Sequence, residues 1–161
     1  MRVHVPVHLR WSDLDAYDHV NNARILTILE EARVRAFWAG PGLDGEEPRP
    51  LAVVEGGRAS ATHTLIGGHE IEYLHPIPYT VDPVEVQLWF SRLGGASADV
   101  CYEVSGPGTA DRRAERVCYL RARSSMVFVR AETGRPRRID ARERAAWQPY
   151  LEEPPRFRGR E

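Results

Sequence analysis

Apolar residues recur at every second position over residues 2–11. Val3, Val5, Val7, Leu9 and Trp11 fall on one side of an extended chain, with His4, Pro6, His8 and Arg10 on the other. This predicts a strand, and Pro6, which lacks a backbone N–H, places it at a sheet edge. From about Asn22 to Trp38 the period becomes helical. At about 100° per residue, Ile25, Ile28, Leu29, Ala32 and Ala36 share one arc, and Leu26 and Phe37 extend it. Arg24, Thr27, Glu31 and Arg35 take the opposite side. Arg33 lands inside the apolar arc, where a cation needs a partner, and Glu30 at i−3 is the nearest candidate. Gly40-Pro41-Gly42 ends the helix, and an acidic, proline-bearing loop from Asp44 to Pro50 follows.

Beyond that loop the pattern is mostly β. Leu51-Ala-Val-Val-Glu reads as a short strand. Glycine pairs at Gly56-Gly57 and Gly67-Gly68 bracket a stretch that suits either a hinged flap over a pocket or a kinked strand extension. His69-Glu-Ile-Glu-Tyr-Leu alternates until Pro76 and Pro78 break it. Val84, Val86, Leu88 and Phe90 alternate with Glu85, Gln87 and Trp89, and Leu93-Gly94-Gly95-Ala96 marks a hairpin. Val100, Tyr102 and Val104 continue the next strand to Gly106-Pro107-Gly108. The last strand, Arg116 to Arg130, carries apolar residues on both parities, which predicts a bulge or bend near Ser124-Ser125. A short helix is expected around Ala141 to Tyr150, before a tail rich in proline and arginine. One strand, a long helix and a run of antiparallel strands make an α+β fold, a sheet wrapped round one helix. That helix covers only one face of the sheet, so further burial in a homodimer is expected.

A chain of 161 residues suits one domain, and 42% hydrophobic with 28% charged content is ordinary for a soluble globular protein. A net charge of -1 gives no global footprint for nucleic acid. No stretch reaches the apolar length of a membrane span or a signal peptide, so the expected location is cytoplasmic. All 22 basic residues are arginine, which leaves arginine, histidine or backbone amides to meet any ligand phosphate. Arg58, Arg92, Arg121 and Arg123 are the candidates. Cys101 and Cys118 lie inside strand-like runs, as buried reduced thiols do.

The candidate chemistry is concentrated in Trp11-Ser-Asp13-Leu-Asp15-Ala-Tyr-Asp18-His19-Val-Asn21-Asn22, where the first strand runs into the helix. Backbone N–H groups at a helix start lack intrahelical partners, and the helix dipole adds a positive field. A carboxylate beside such donors suits acyl transfer. Asp13, Asp15, Asp18 and His19 also invite a metal reading. No remote second histidine group completes a first shell, so no metal is expected. Neither a G-x-S-x-G elbow nor a cysteine at a helix start is present.

The run Asp13-x-Asp15-x-x-Asp18-His19-Val20-Asn21-Asn22-Ala23, with Glu30-x-Ala32-Arg33 after it, resembles the 4-hydroxybenzoyl-CoA thioesterase-type hotdog-fold acyl-CoA thioesterases. Their pattern is roughly D-x-D-x-x-G-H-V-N-N followed by E-x-A-R. His69-Glu-Ile-Glu-Tyr73-Leu-x-Pro76-Ile77, Val84-Glu-Val and Leu93-Gly94-Gly95-x-Ser97 resemble the family's central strands. The resemblance implies one hotdog domain over residues 1–140, with a helical piece and polar tail over 141–161. It also implies a homodimer or tetramer with active sites at the subunit interface. It assigns catalysis to Asp15; beside it, His19 is expected to orient Asp15 or the helix start, and Asn21 or Asn22 to cap the helix or position water. Oxyanion donors are the amides from Asn21 to Ala23, and Arg92 is a substrate-binding candidate. Coenzyme A enters only as part of an acyl-CoA or acyl-carrier substrate, with no separate cofactor. Three departures stand out: Asp18 replaces the glycine before histidine, Ile25 replaces an aromatic, and the 55–68 stretch is longer than the pattern leads one to expect. Two other functions suit the same scaffold, a non-catalytic acyl-thioester binding module and a hotdog hydratase or dehydratase.

Overall fold

The computed structural model describes residues 1–39, 49, 51–107 and 116–159. Seven strands and two α-helices follow in order: β1 (Val3–Val7), α1 (Asn22–Phe37), β2 (Trp38–Ala39), β3 (Val54–Glu55), β4 (Thr62–Tyr73), β5 (Val84–Leu93), β6 (Ser97–Pro107), β7 (Arg116–Arg130) and α2 (Ala141–Trp147). Five of the strands form one antiparallel sheet in the order β1-β5-β6-β7-β4, and β2 with β3 makes a small parallel pair. The long helix lies against one face of the sheet, the α+β hotdog arrangement.

Hydrophobic periodicity accounts for most of this. α1 buries Ile25, Ile28, Leu29, Ala32, Ala36 and Phe37, as its apolar arc predicts, while Leu26 stays exposed at the arc's edge. β1 takes the sheet edge that Pro6 requires. Of the chain between the glycine pairs, residues 62–66 are strand within β4, kinked where the register shifts between Ile66 and Gly68, and residues 58–61 lead into it outside the strand. Gly40-Pro41-Gly42 and all of the acidic loop except Arg49 lie outside the described residues, as does Gly108.

Two expectations need correction. The irregularity near Ser124-Ser125 sits on the facing strand β4, at Gly67. On β7 itself, Leu120, Ala122, Ser124, Met126 and Phe128 face inward without interruption. The parity change occurs at Tyr119, the extra residue where the β6 register shifts between Val104 and Ser105. Arg33 does not pair with Glu30: its Nη1 donates to the Tyr102 hydroxyl at 3.2 Å. Arg33 turns inward toward the sheet while Glu30 stays on the exposed side of the helix.

The sheet's second face is covered by the chain's own C-terminal segment. Glu152 N–H donates to the Phe90 carbonyl, Trp89 Nε1 donates to the Glu153 carbonyl and Arg121 to the Arg156 carbonyl. The Arg158 N–H reaches Glu72 at 2.8 Å, so the tail crosses from β5 to β4. The Arg2 guanidinium lies 3.8 Å over the Trp89 ring and pairs with Glu103 and Glu152. Cys101 is buried and Cys118 half-buried, both as free thiols, and burial pushes the Cys101 thiol up to about 11. α2 contributes to the core through Trp147, which stacks on Phe128 at 5.3 Å and meets Phe37 and Phe90. Truncating a fully buried aromatic leaves a cavity its neighbours cannot fill. Trp147→Ala is therefore expected to cost about 3–5 kcal/mol in urea unfolding.

Candidate active site

The site is built where β1 leads into α1. After β1 the chain makes a 3-10 turn, Trp11–Asp13, and Asp13 Oδ2 accepts the Arg10 backbone N–H at 2.7 Å. With 2% exposure and that partner, Asp13 holds the turn together. Leu14 then bridges Val20, and Asp15 N–H donates to the His19 carbonyl at 2.8 Å, so residues 14–20 fold back as a tight hairpin. Asp18 N–H reaches the Asp15 carbonyl at 3.3 Å, and Asp18 adopts φ 59°. A turn followed by one left-handed residue is a standard hairpin closure, and among non-glycine residues Asp and Asn enter that region most readily. Asp18 thus does conformationally what the glycine of the related pattern would do.

The hairpin fixes the Asp15 side chain. Asp15 Oδ1 accepts the Tyr17 N–H at 2.8 Å and the His19 N–H at 3.4 Å. Oδ2 has no partner among the described residues, and the residue is half-buried. His19 serves Asp15 through its backbone, while the residue itself is exposed.

The hairpin's return strand delivers the helix start. Val20 N–H donates to the Ile77 carbonyl at 2.9 Å, and His19 bridges Pro78. Asn21 is the N-cap: its Oδ1 accepts the Ala23 N–H at 2.9 Å, and its carbonyl accepts the Arg24 N–H at 2.9 Å. The Asn21 N–H is itself taken by the Asp13 carbonyl at 2.8 Å. The amides of Asn21, Ala23 and Arg24 are all occupied, and among the described residues that of Asn22 has no partner. One donor in the helix's first turn is therefore available, in the positive field of the dipole.

Tyr73, at the end of β4, donates its hydroxyl to the Asn22 carbonyl at 3.1 Å. A cavity of about 240 Å³ opens beside this turn, lined by Asn22, Ile25, Tyr73, His75, Pro76 and Leu120 among others. Asp15 stands outside that lining. Burial pushes the Tyr73 hydroxyl above its usual range, so it remains a donor at neutral pH. Sequence spacing gave no reason to join Tyr73 to Asn22, because only the fold brings the end of β4 to the start of α1.

Arg92 is not brought to this place within one protomer. It lies near the hairpin end of β5, where both Asp99 oxygens and Ser97 engage it at 2.9 to 3.3 Å. Arg121 and Arg123 are likewise engaged, by Glu103 and Glu70. Among the described residues no group of three or more His, Cys, Asp or Glu side chains is placed to hold a metal ion, and no helix is long and apolar enough to cross a membrane.

A five-stranded antiparallel sheet wrapped on one long helix is the hotdog fold. The chain belongs to the thioesterase-like superfamily, whose model matches residues 9–151, and its chemistry is thioester hydrolysis. No curated protein matches it. Among solved structures it is similar to a thioesterase of Thermus thermophilus complexed with coenzyme A and zinc. That likeness has 26% identity and a TM-score of 0.63, and covers 91% of this chain and 92% of the other. The PA5185 protein of Pseudomonas aeruginosa shares the fold at 20% identity and a TM-score of 0.70, over 95% and 94% of the two chains. A thioesterase-superfamily protein of Jannaschia shares it at 17% identity and a TM-score of 0.67, over 93% of each.

Asp18→Val places a β-branched residue in the left-handed region and is expected to cost about 1–2 kcal/mol. Asp18→Gly is expected to stay within about 0.5 kcal/mol of the parent, as read by chemical denaturation.

Proposed function

We propose that the protein hydrolyses acyl-CoA thioesters, with the Asp15 carboxylate driving attack on the thioester carbon and the Asn22 amide receiving the developing oxyanion. The observation that carries this reading is that one carboxylate oxygen of Asp15 and the helix-start amide of Asn22, seven residues apart in the chain, are both without partners among the described residues. The Asp15 oxygen that accepts Tyr17 and His19 is occupied, so Oδ2 acts. It either adds to the carbon and expels the coenzyme A thiolate, leaving an anhydride with Asp15 that water then hydrolyses, or takes the proton of a water that attacks the carbon directly. Both routes consume one water and end in a free acid and the coenzyme A thiol. The negative charge that gathers on the carbonyl oxygen meets the Asn22 N–H and the helix dipole, an interaction on the order of 3 kcal/mol. His19 and Asn21 are positioning residues: the first holds Asp15 through its backbone, the second caps the helix and so leaves the Asn22 amide as the open one. Coenzyme A as the carrier is supported by the Thermus neighbour, which holds it.

We also place the working site between two copies of the chain. The two edges of the sheet differ: β1 is short and carries Pro6, whereas β4 runs 12 residues without proline and has Leu65 51% exposed. A long edge strand with unpaired backbone groups is a template for another strand. Two copies joined antiparallel along β4 form one continuous sheet, with the Tyr73 end of one strand beside the Thr62 end of the other.

Asp15→Asn keeps the size and loses the charge. Thiol release from short, long and aromatic acyl-CoAs is expected to fall by about 10²–10⁴-fold in kcat, with the melting temperature nearly unchanged. A variant as active as the parent would remove Asp15 from the reaction.

A further inference from the structure

A second cavity lies in the groove between α1 and β4, away from the helix start. It measures about 290 Å³, room for roughly ten water-sized groups. Val34, Phe37, Trp38, Ile66 and Met126 give it apolar walls, and Arg33 lines it with them. Arg33 is 9% exposed, and among the described residues no carboxylate pairs with it. One of its nitrogens donates to the neutral Tyr102 hydroxyl. Its other nitrogens are not among the sealed, unpartnered side-chain atoms of the described residues, so they keep some contact with solvent.

A buried guanidinium without a counter-charge is costly, and five N–H donors with one acceptor leave most of its capacity unused. Groups around it do not supply the missing charge. Tyr102 is neutral at physiological pH, its hydroxyl held above its usual range by burial. His69, which meets Ser124 at 2.8 Å, is held below its usual range by burial and by the Arg33 charge, so it adds no second cation near pH 7. Glu30 and Glu31 also line the cavity, both on the exposed side of the helix where water screens them; Glu31 is engaged by Arg35 at 2.7 Å, and Glu30 makes no ion pair with Arg33.

We infer that this cavity receives the far end of the acyl group and that Arg33 selects acyl groups ending in a carboxylate. The inference rests on the thioesterase reading and on the paired β4 edges. Within one copy, Arg33 is eleven residues along α1 from Asn22, about 16 Å at the helical rise. Joining two copies along β4 sets this cavity, which includes Thr64, beside the helix start of the other copy. The substrate cleaved at one copy's Asp15 thus extends into its partner's groove. The Arg33 guanidinium can donate two parallel hydrogen bonds to a carboxylate, and a methyl terminus accepts none.

The test compares adipoyl-CoA with hexanoyl-CoA, equal in chain length and different only in the terminal carboxylate. In the parent protein kcat/KM for adipoyl-CoA is expected to exceed that for hexanoyl-CoA by at least about tenfold. Arg33→Gln is expected to bring the ratio to one or below, and Arg33→Lys, which keeps the charge and loses the fork, to lower it at least about threefold. A parent ratio of one or less, or a ratio unchanged in the lysine variant, overturns the inference. Binding of both thioesters to Asp15→Asn protein, followed by calorimetry, separates the two readings. An adipoyl preference without turnover in the parent keeps the Arg33 site and sinks the hydrolysis. Turnover of both thioesters without any preference keeps the hydrolysis and sinks the site.

Discussion

The structure around the site depends on how the first turn of α1 distributes its backbone donors. A helix start leaves amides without intrahelical partners, and most proteins satisfy them with a cap. Here Asn21 uses its side chain on Ala23, its carbonyl on Arg24 and its own N–H on the Asp13 carbonyl. Each of these bonds removes a donor from solvent, and together they isolate the Asn22 amide. Had the cap been Asn22, as the adjacent pair of asparagines equally allows, the open amide would lie elsewhere. The hairpin at 14–20 performs the matching selection on Asp15, occupying one oxygen and leaving the other.

That selection is transmitted from the fold. The Asp13 turn, the left-handed Asp18 and the Val20–Ile77 bond fix the hairpin against the loop between β4 and β5. The Tyr73 hydroxyl ties the same helix turn to the end of β4. The β4 strand therefore serves two purposes, as the support of the helix start and as the open edge of the sheet. The tail that crosses from β5 to β4 leaves the helix-bearing face to the substrate.

Much of this was legible in the residues. Alternation found β1, β5 and β6, the helical arc found α1, and Pro6 located a sheet edge, because each reports burial through its local period. Where burial depended on distant chain, the sequence was ambiguous. Apolar residues on both parities of β7 have a source in the chain itself, since Val129 bridges the returning segment at Pro136. Glu30 looked like the partner of Arg33 from helical spacing, yet the arginine turns toward Tyr102, 69 residues away. The aspartate motif marked the turn between β1 and α1 that the proposed site occupies. Which amide stays open, and that Tyr73 meets Asn22, depend on hydrogen bonds that no spacing encodes.

The most direct measurement is a crystal structure of the Asp15→Asn protein with an intact acyl-CoA bound. The account predicts the thioester oxygen at hydrogen-bond distance from the Asn22 nitrogen, roughly 2.7–3.2 Å, with residue 15 facing the carbonyl carbon. A thioester oxygen held by other donors, with the Asn22 N–H turned to water, would contradict it.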